Sequence, residues 1–322
     1  MFKLLLKKIP DTYYNYLKII VSCSLVFWIF KDVDLRLLGQ QIANTSPLAL
    51  LSYLLLSLLL VFLVSYRWSL LLINRPNLAT ILQFYKANIS AQFYNLSLPT
   101  AYGGDLVKWT QLHSFNFSRK TLILSVVADR VIGLLGLITV GFFASLFAQL
   151  YQIASIPTMV NMLFYVLFTG VIIVFIFILS PLKLSSLPVV GRLTVLLKIE
   201  NYLDTKIPKL LFLYFLAVVV QLLSFFSLYV LAVEAHLEIK FIYFLTISPV
   251  VSLISVLPIS LAGFGTTEAA YLFFFEQLGA QKENILVFTS LFGLFKILLG
   301  GIGWLTEFVV ASKSLIRVPI KH

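Results

Sequence analysis

Long apolar runs dominate the chain, and the polar positions that interrupt them recur at helical spacing. A helix needs about 20 mostly apolar residues to cross a bilayer. Six runs meet that length: roughly Tyr13 to Phe30, Pro47 to Ile73, Thr121 to Leu150, Val160 to Pro181, Pro208 to Val233 and Asn284 to Ala311. Two further stretches, about 78–114 and 241–278, each read as a helix, a break rich in Pro and Gly, and a second helix. In the first, Tyr85, Asn88, Gln92 and Asn95 share a helical face. Pro99 ends the run, Gly103 and Gly104 allow a tight turn, and Asp105 is placed to cap a new helix. Such irregular, polar backbone persists at membrane depth only where it is buried in protein or lines a wet cavity.

With 60% hydrophobic and 11% charged residues in 322, the chain is too apolar to cover a soluble surface. The expected fold is an all-α polytopic membrane protein. The net charge of +11 does not point to nucleic acid, because Lys and Arg fall mainly between the apolar runs. They read as topology signals and contacts to anionic lipid. Cys23 is the single cysteine, and His113, His236 and His322 are scattered, so the sequence offers no disulfide framework or metal-ligand set; no cofactor is expected. Lys3, Lys7 and Lys8 before an apolar run superficially resemble a signal peptide, and Ile20 to Cys23 a lipoprotein cleavage site. The run continues to Phe30, which favours a retained signal anchor. Trp28, Trp68, Trp109 and Trp304 read as interfacial anchors.

The loop charges set the threading. Lys3, Lys7 and Lys8 mark a cytoplasmic N-terminus, and the nearly balanced Lys31, Asp32, Asp34 and Arg36 an external loop. Arg67, Arg75, Arg119 and Lys120 mark both flanks of the first broken stretch as cytoplasmic, so that stretch enters and leaves on one side. Tyr151 to Met159 is external, Lys183 to Lys209 a basic cytoplasmic loop, Glu234 to Lys240 external, and the tail with Lys313, Arg317 and Lys321 cytoplasmic. The second broken stretch must then re-enter from outside. The order span, span, re-entrant pair, span occurs twice in opposite orientations, an inverted repeat with halves 1–155 and 156–322. Complete crossing by the broken stretches, for eight to ten spans in all, stays open at this point.

The stripes support the repeat. Asn88, Gln92 and Asn95 have the same spacing as Ser248, Ser252 and Ser255. Pro99 or Pro258 follows, then Gly103 and Gly104 or Gly263 and Gly265, then Asp105 or Glu268, and later an intramembrane cation, Arg130 or Lys296. Interrupted segments in corresponding positions of two halves are the best sequence pointer to a midplane transport site.

These residues resemble the membrane region of the lysylphosphatidylglycerol synthase/flippase family. The resemblance lies in Asn95-Leu96-Ser97-Leu98-Pro99 with Gly103-Gly104-Asp105 and Lys108, in Asp129-Arg130 with Gly133, and in Leu257-Pro258-Ile259-Ser260 with Gly263-Phe264-Gly265 and Glu268. Lys108 and Asp129 stand where Arg and Glu are common in the family, so Lys108 cannot offer a bidentate fork. The resemblance implies lipid translocation in the inner, cytoplasmic membrane, or a partner role in envelope-lipid or glycan assembly beside a lipid-modifying enzyme or glycosyltransferase. Because the sequence ends at His322, directly after the last run, aminoacyl transfer by this chain is not expected.

Charges at bilayer depth cost about 2.5 to 3.5 kcal/mol each on insertion scales, so Asp105, Lys108, Asp129, Arg130, Glu268 and Lys296 are the functional candidates. Arg130, Lys108 and Lys296 are expected to bind a lipid phosphate, with Asn88, Gln92, Asn95 and Tyr102 solvating the remaining headgroup. The glycine turns present the N-termini of two half-helices, near Asp105 and Thr266, to the anion. Asp105, Asp129, Arg130 and Glu268 are alternatively structural or gating ion pairs, with Asp129 and Arg130 pairing with the two turn acids. A flippase for an anionic phospholipid or lipid-linked intermediate is the leading function. A non-transporting partner subunit and a membrane-embedded lipid transferase are the alternatives; oligomeric state stays open.

Overall fold

The computed structural model describes residues 35–97, 103–112, 117–151, 157–179, 207–257 and 262–316, together with Cys23, Ser24, Phe27, Phe115 and Ser260. Among the described residues there are ten helices: α1 (Leu35–Ala43), α2 (Pro47–Leu72), α3 (Leu78–Ser97), α4 (Gly103–Gln111), α5 (Arg119–Leu150), α6 (Thr158–Leu179), α7 (Ile207–Glu234), α8 (Phe241–Val256), α9 (Thr266–Glu276) and α10 (Lys282–Ile316). Four of them, α2, α5, α7 and α10, are long and apolar enough to cross a membrane. The chain is an all-α polytopic membrane protein. The expected first span, Tyr13 to Phe30, lies almost wholly outside the described residues, as do Pro99, Tyr102 and Pro258.

Local chemistry sets the helix starts. Pro47 opens α2, where a missing N–H costs nothing. Asn77 Oδ1 accepts from Thr80 N at 2.8 Å at the head of α3, and Ser118 Oγ accepts from Thr121 N at 3.1 Å at the head of α5. The connection expected to be a plain external loop contains α1, whose Ile42 packs onto the main apolar core.

Helices α2 and α7 run antiparallel and are pinned at both ends. Ser46 N donates to Glu234 Oε2 at 3.1 Å, and at the other end Lys209 Nζ donates to Asn74 Oδ1 at 2.6 Å. The two broken stretches are hairpins. Phe84 in α3 and Phe115 just beyond α4 have ring centroids 5.7 Å apart, and Leu112 joins Trp68, Leu71 and Phe84 in one buried cluster. Phe244 at the start of α8 meets Phe275 at the end of α9, also at 5.7 Å.

The hairpins exchange partners across the molecule. Helix α3 packs along α10, and α8 packs along α5. The first seam depends on glycine: a Cβ at Gly303 would come within 2.4 Å of Ile89 O, and one at Gly300 within 2.1 Å of the Leu96 side chain. Small residues of this kind let backbones approach where no hydrophobic effect drives helices together. Ser90 and Thr306 share a hydrogen bond across the same seam at 3.1 Å.

Two expectations need correction. Arg67 is not a loop cation marking a membrane flank; it is 4% exposed, inside α2. Trp68 is not an interfacial anchor; it is 1% exposed and donates from Nε1 to Ser125 Oγ at 3.0 Å. Both lie on the α2 face covered by α3 and α5, and burial there outweighs the interfacial preference read from sequence.

Gly303→Ala should lower the stability of the purified protein by about 1–3 kcal/mol, since the clash is with backbone. Gly301, with open space around its position, should accept Ala without loss. Thermal unfolding midpoints in detergent check both.

Candidate functional site: a cationic cavity between two helix breaks

The ends of α3 and α8 and the start of α9 converge on a cavity of about 270 Å³, which α5 and α10 also line. Its polar lining comprises Gln92 and Asn95 from α3, Arg130 from α5, Ser252 and Ser255 from α8, Thr267 and Tyr271 from α9, and Lys296 from α10. The apolar remainder includes Leu96, Val251, Val256, Phe292 and Leu299. Among the described residues two cations and no carboxylate line it, so the site suits an anion. Its volume falls short of the ~300–1,000 Å³ usual for drug-sized ligands, which suits a headgroup without its acyl chains.

The two stripes are used alike. Their first members turn away from the cavity: Asn88 Nδ2 donates to Ser65 Oγ at 2.9 Å and to Phe84 O at 3.3 Å, and Ser248 is fully buried. The later members, Gln92 with Asn95 and Ser252 with Ser255, reach the lining. Ser252 Oγ donates to Ser248 O at 2.8 Å and Ser255 Oγ to Val251 O at 2.9 Å, so these hydroxyls satisfy themselves within a membrane helix.

Asn95 also organises the first break. Its Oδ1 accepts from Gly104 N at 2.9 Å, closing the start of α4 onto α3. A Cβ at Gly104 would lie 2.3 Å from Ala91 O, so only glycine fits. The expected cap, Asp105, leaves that N–H to Asn95 and turns to cations. Arg130 donates to it through Nε (2.8 Å to Oδ2) and Nη2 (3.0 Å to Oδ1), and Lys108 Nζ lies 3.0 Å from Oδ1. Lys108 Nζ also sits 5.8 Å from the centre of the Trp68 ring. Of these three, Arg130 alone lines the cavity.

The second break is held by left-handed backbone at Ala262 (φ 51°), Gly263 (φ 81°) and Gly265 (φ 81°). Thr266 and Thr267 hydroxyls both donate to Gly263 O, at 3.0 and 2.8 Å, and Thr266 and Ser260 hydroxyls lie 2.8 Å apart. Glu268 Oε2 accepts from Gly265 N at 2.7 Å, which binds the acid to the N-terminus of its own helix and keeps it out of the lining. Lys296 reaches the cavity past two aromatic faces, with Nζ 4.3 Å from the Phe292 centroid and 5.5 Å from that of Phe264. Aromatic quadrupoles stabilise a desolvated cation in this way. Among the described residues no salt bridge to Lys296 forms.

Of the expected pairings with the two turn acids, Arg130 makes one, with Asp105, whereas Asp129 pairs with neither Asp105 nor Glu268. Asp129 Oδ1 accepts from Arg67 Nε at 2.7 Å, and its carbonyl from Arg67 Nη2 at 3.3 Å. Gly133 makes room, since a Cβ there would lie 3.3 Å from Arg67 Nη2. Neighbours in sequence thus serve different sites: Asp129 faces α2, while Arg130 faces α4 and the cavity. Sequence reasoning read Arg67 as a flank cation and missed its pairing with Asp129, 62 residues further on; it also missed Thr267, Tyr271 and Phe292, whose types carry no signal in so aromatic a chain.

Fold and site together define a multi-pass helical membrane protein with an anion-compatible cavity where two helix hairpins meet. The chain belongs to the family described as the lysylphosphatidylglycerol synthase transmembrane region, whose model matches residues 15–303. A comparison with curated proteins finds no match.

Removing either member of the Arg67–Asp129 pair, as Arg67→Met or Asp129→Leu, should cost about 3–5 kcal/mol by stranding a buried charge. The double variant should recover most of that loss. A double-mutant cycle on thermal stability in detergent reads the coupling.

Proposed function

We propose that the chain is a flippase-like transporter that moves an anionic phospholipid or lipid-linked intermediate across the cytoplasmic membrane, with the headgroup held between two re-entrant hairpins near the midplane. One observation carries the reading: the interrupted helix of each sequence half contributes to one cavity, and each half adds one cation, Arg130 or Lys296. The exchange of packing partners, α3 with α10 and α8 with α5, supports an inverted repeat with halves 1–155 and 156–322. The parallel use of the two polar stripes supports it further.

On this reading the N- and C-termini are cytoplasmic, and the acyl chains stay in lipid while the headgroup crosses. Arg130 provides a guanidinium fork for phosphate and Lys296 a point charge. Gln92, Asn95 and Thr267 meet the neutral polar groups of the headgroup. Asn88 and Asp129 position neighbouring helices without touching substrate, and Glu268 holds the second break in shape. A lipid-modifying enzyme or glycosyltransferase supplying or consuming the lipid is the partner class this activity calls for.

Transbilayer movement of labelled anionic phospholipids and polyprenyl-phosphate lipids in proteoliposomes tests the proposal. The intact protein should move at least one of them, and Arg130→Ala and Asp105→Asn should each abolish movement while remaining folded. Well-folded protein that moves no lipid would turn the assignment toward a non-transporting subunit.

A further inference from the structure

Asp105, Lys108 and Arg130 form an arrangement in which one acid is shared by a fixed and an exchangeable cation. Asp105 and Lys108 lie one turn apart on α4, and both side chains are 11% exposed. Arg130 comes from α5 and its side chain is 46% exposed. It holds Asp105 through Nε and Nη2 while also lining the cavity, where neither Asp105 nor Lys108 is found. Lys108 is kept in place by the Asp105 contact and the Trp68 face; Trp68 is itself fixed by Ser125.

An oxyanion entering the cavity competes with Asp105 for the Arg130 fork, because a phosphate, like a carboxylate, presents two oxygens that accept paired N–H donors. Without another cation, that exchange would leave a buried carboxylate uncompensated, which is strongly unfavourable. Lys108 shares Oδ1 with Arg130 Nη2 and reaches it from the same helix as Asp105, so it keeps Asp105 paired when Arg130 departs. Resting on the headgroup reading above, we propose that Arg130 exchanges Asp105 for the headgroup phosphate during transport, and that Lys108 is the positioning residue that holds the charge of Asp105 through the exchange. Asp105 in turn draws Arg130 back and releases the headgroup.

The test uses the full chain in nanodiscs and proteoliposomes, with fluorescent phosphatidylglycerol as the probe and phosphatidylcholine as the uncharged-net control. Lys108→Met should weaken phosphatidylglycerol binding about ten-fold, within the range of ordinary site coupling. Lys108→Arg should bind as the intact protein does. Asp105→Asn should bind more tightly yet fail to move the lipid, and Asp105→Asn with Lys108→Met should bind like Asp105→Asn alone, because no acid remains to be compensated. A lysine needed only for folding would not be relieved by removing the acid.

Unchanged affinity in Lys108→Met, or a double variant as weak as Lys108→Met, overturns the proposal. Should Lys108→Met fail to fold, Asp105→Asn decides: tighter binding supports the exchange, and equal or weaker binding overturns it. Free glycerol phosphate at matched concentration should not displace the probe; displacement overturns a lipid headgroup as the exchanging anion. If the intact protein neither binds nor moves phosphatidylglycerol or any other anionic lipid, it is the transport reading itself that fails.

Discussion

A charge or an open backbone turn cannot stand alone at membrane depth, and the core of this protein is arranged around that constraint. Arg67 is bound by Asp129, Asp105 by Arg130 and Lys108, and Glu268 by the N-terminus of its own helix. Each break is closed by short polar contacts, Asn95 to Gly104 in one and the threonine hydroxyls to Gly263 in the other. The two cations that reach the cavity are held differently, Arg130 by Asp105 and Lys296 between aromatic faces.

The two breaks solve the same problem with different chemistry. In the first, an amide side chain from α3 caps α4, and the acid of the new helix is set free to bind cations from two directions. In the second, left-handed glycine backbone shapes the turn and the acid is consumed as a cap. That difference gives the proposed headgroup site two unlike ends. Arg130 is half exposed and tied to a carboxylate it can leave, whereas Lys296 is enclosed by aromatic faces.

Glycine governs how closely the hairpins approach their long partners. Gly300 and Gly303 bring α10 against α3, and Gly136 brings α5 against α7, where a Cβ would come within 2.9 Å of Ala217 C. One pair of cavity walls, α3 and α10, is thus spaced in part by backbone contact at Gly303.

Much of this was legible in the chain. Apolar run length dictates long spanning helices, and Pro and Gly after a polar stripe dictate the two interruptions, because both effects are local. The cations Arg130 and Lys296 stood out because charge inside an apolar run is costly wherever the run packs. The pairings were not legible: Asp129 and Arg130 are adjacent in sequence, yet helical geometry turns them about 100° apart, toward different neighbours. Whether Asn88 meets a ligand or Ser65, whether Glu268 faces a cation or its own helix end, and whether Arg67 is a loop charge or a core one all depend on which helices lie alongside. Only the tertiary structure decides that, since partner choice between α3 and α10 or α8 and α5 rests on contacts between residues far apart in the chain.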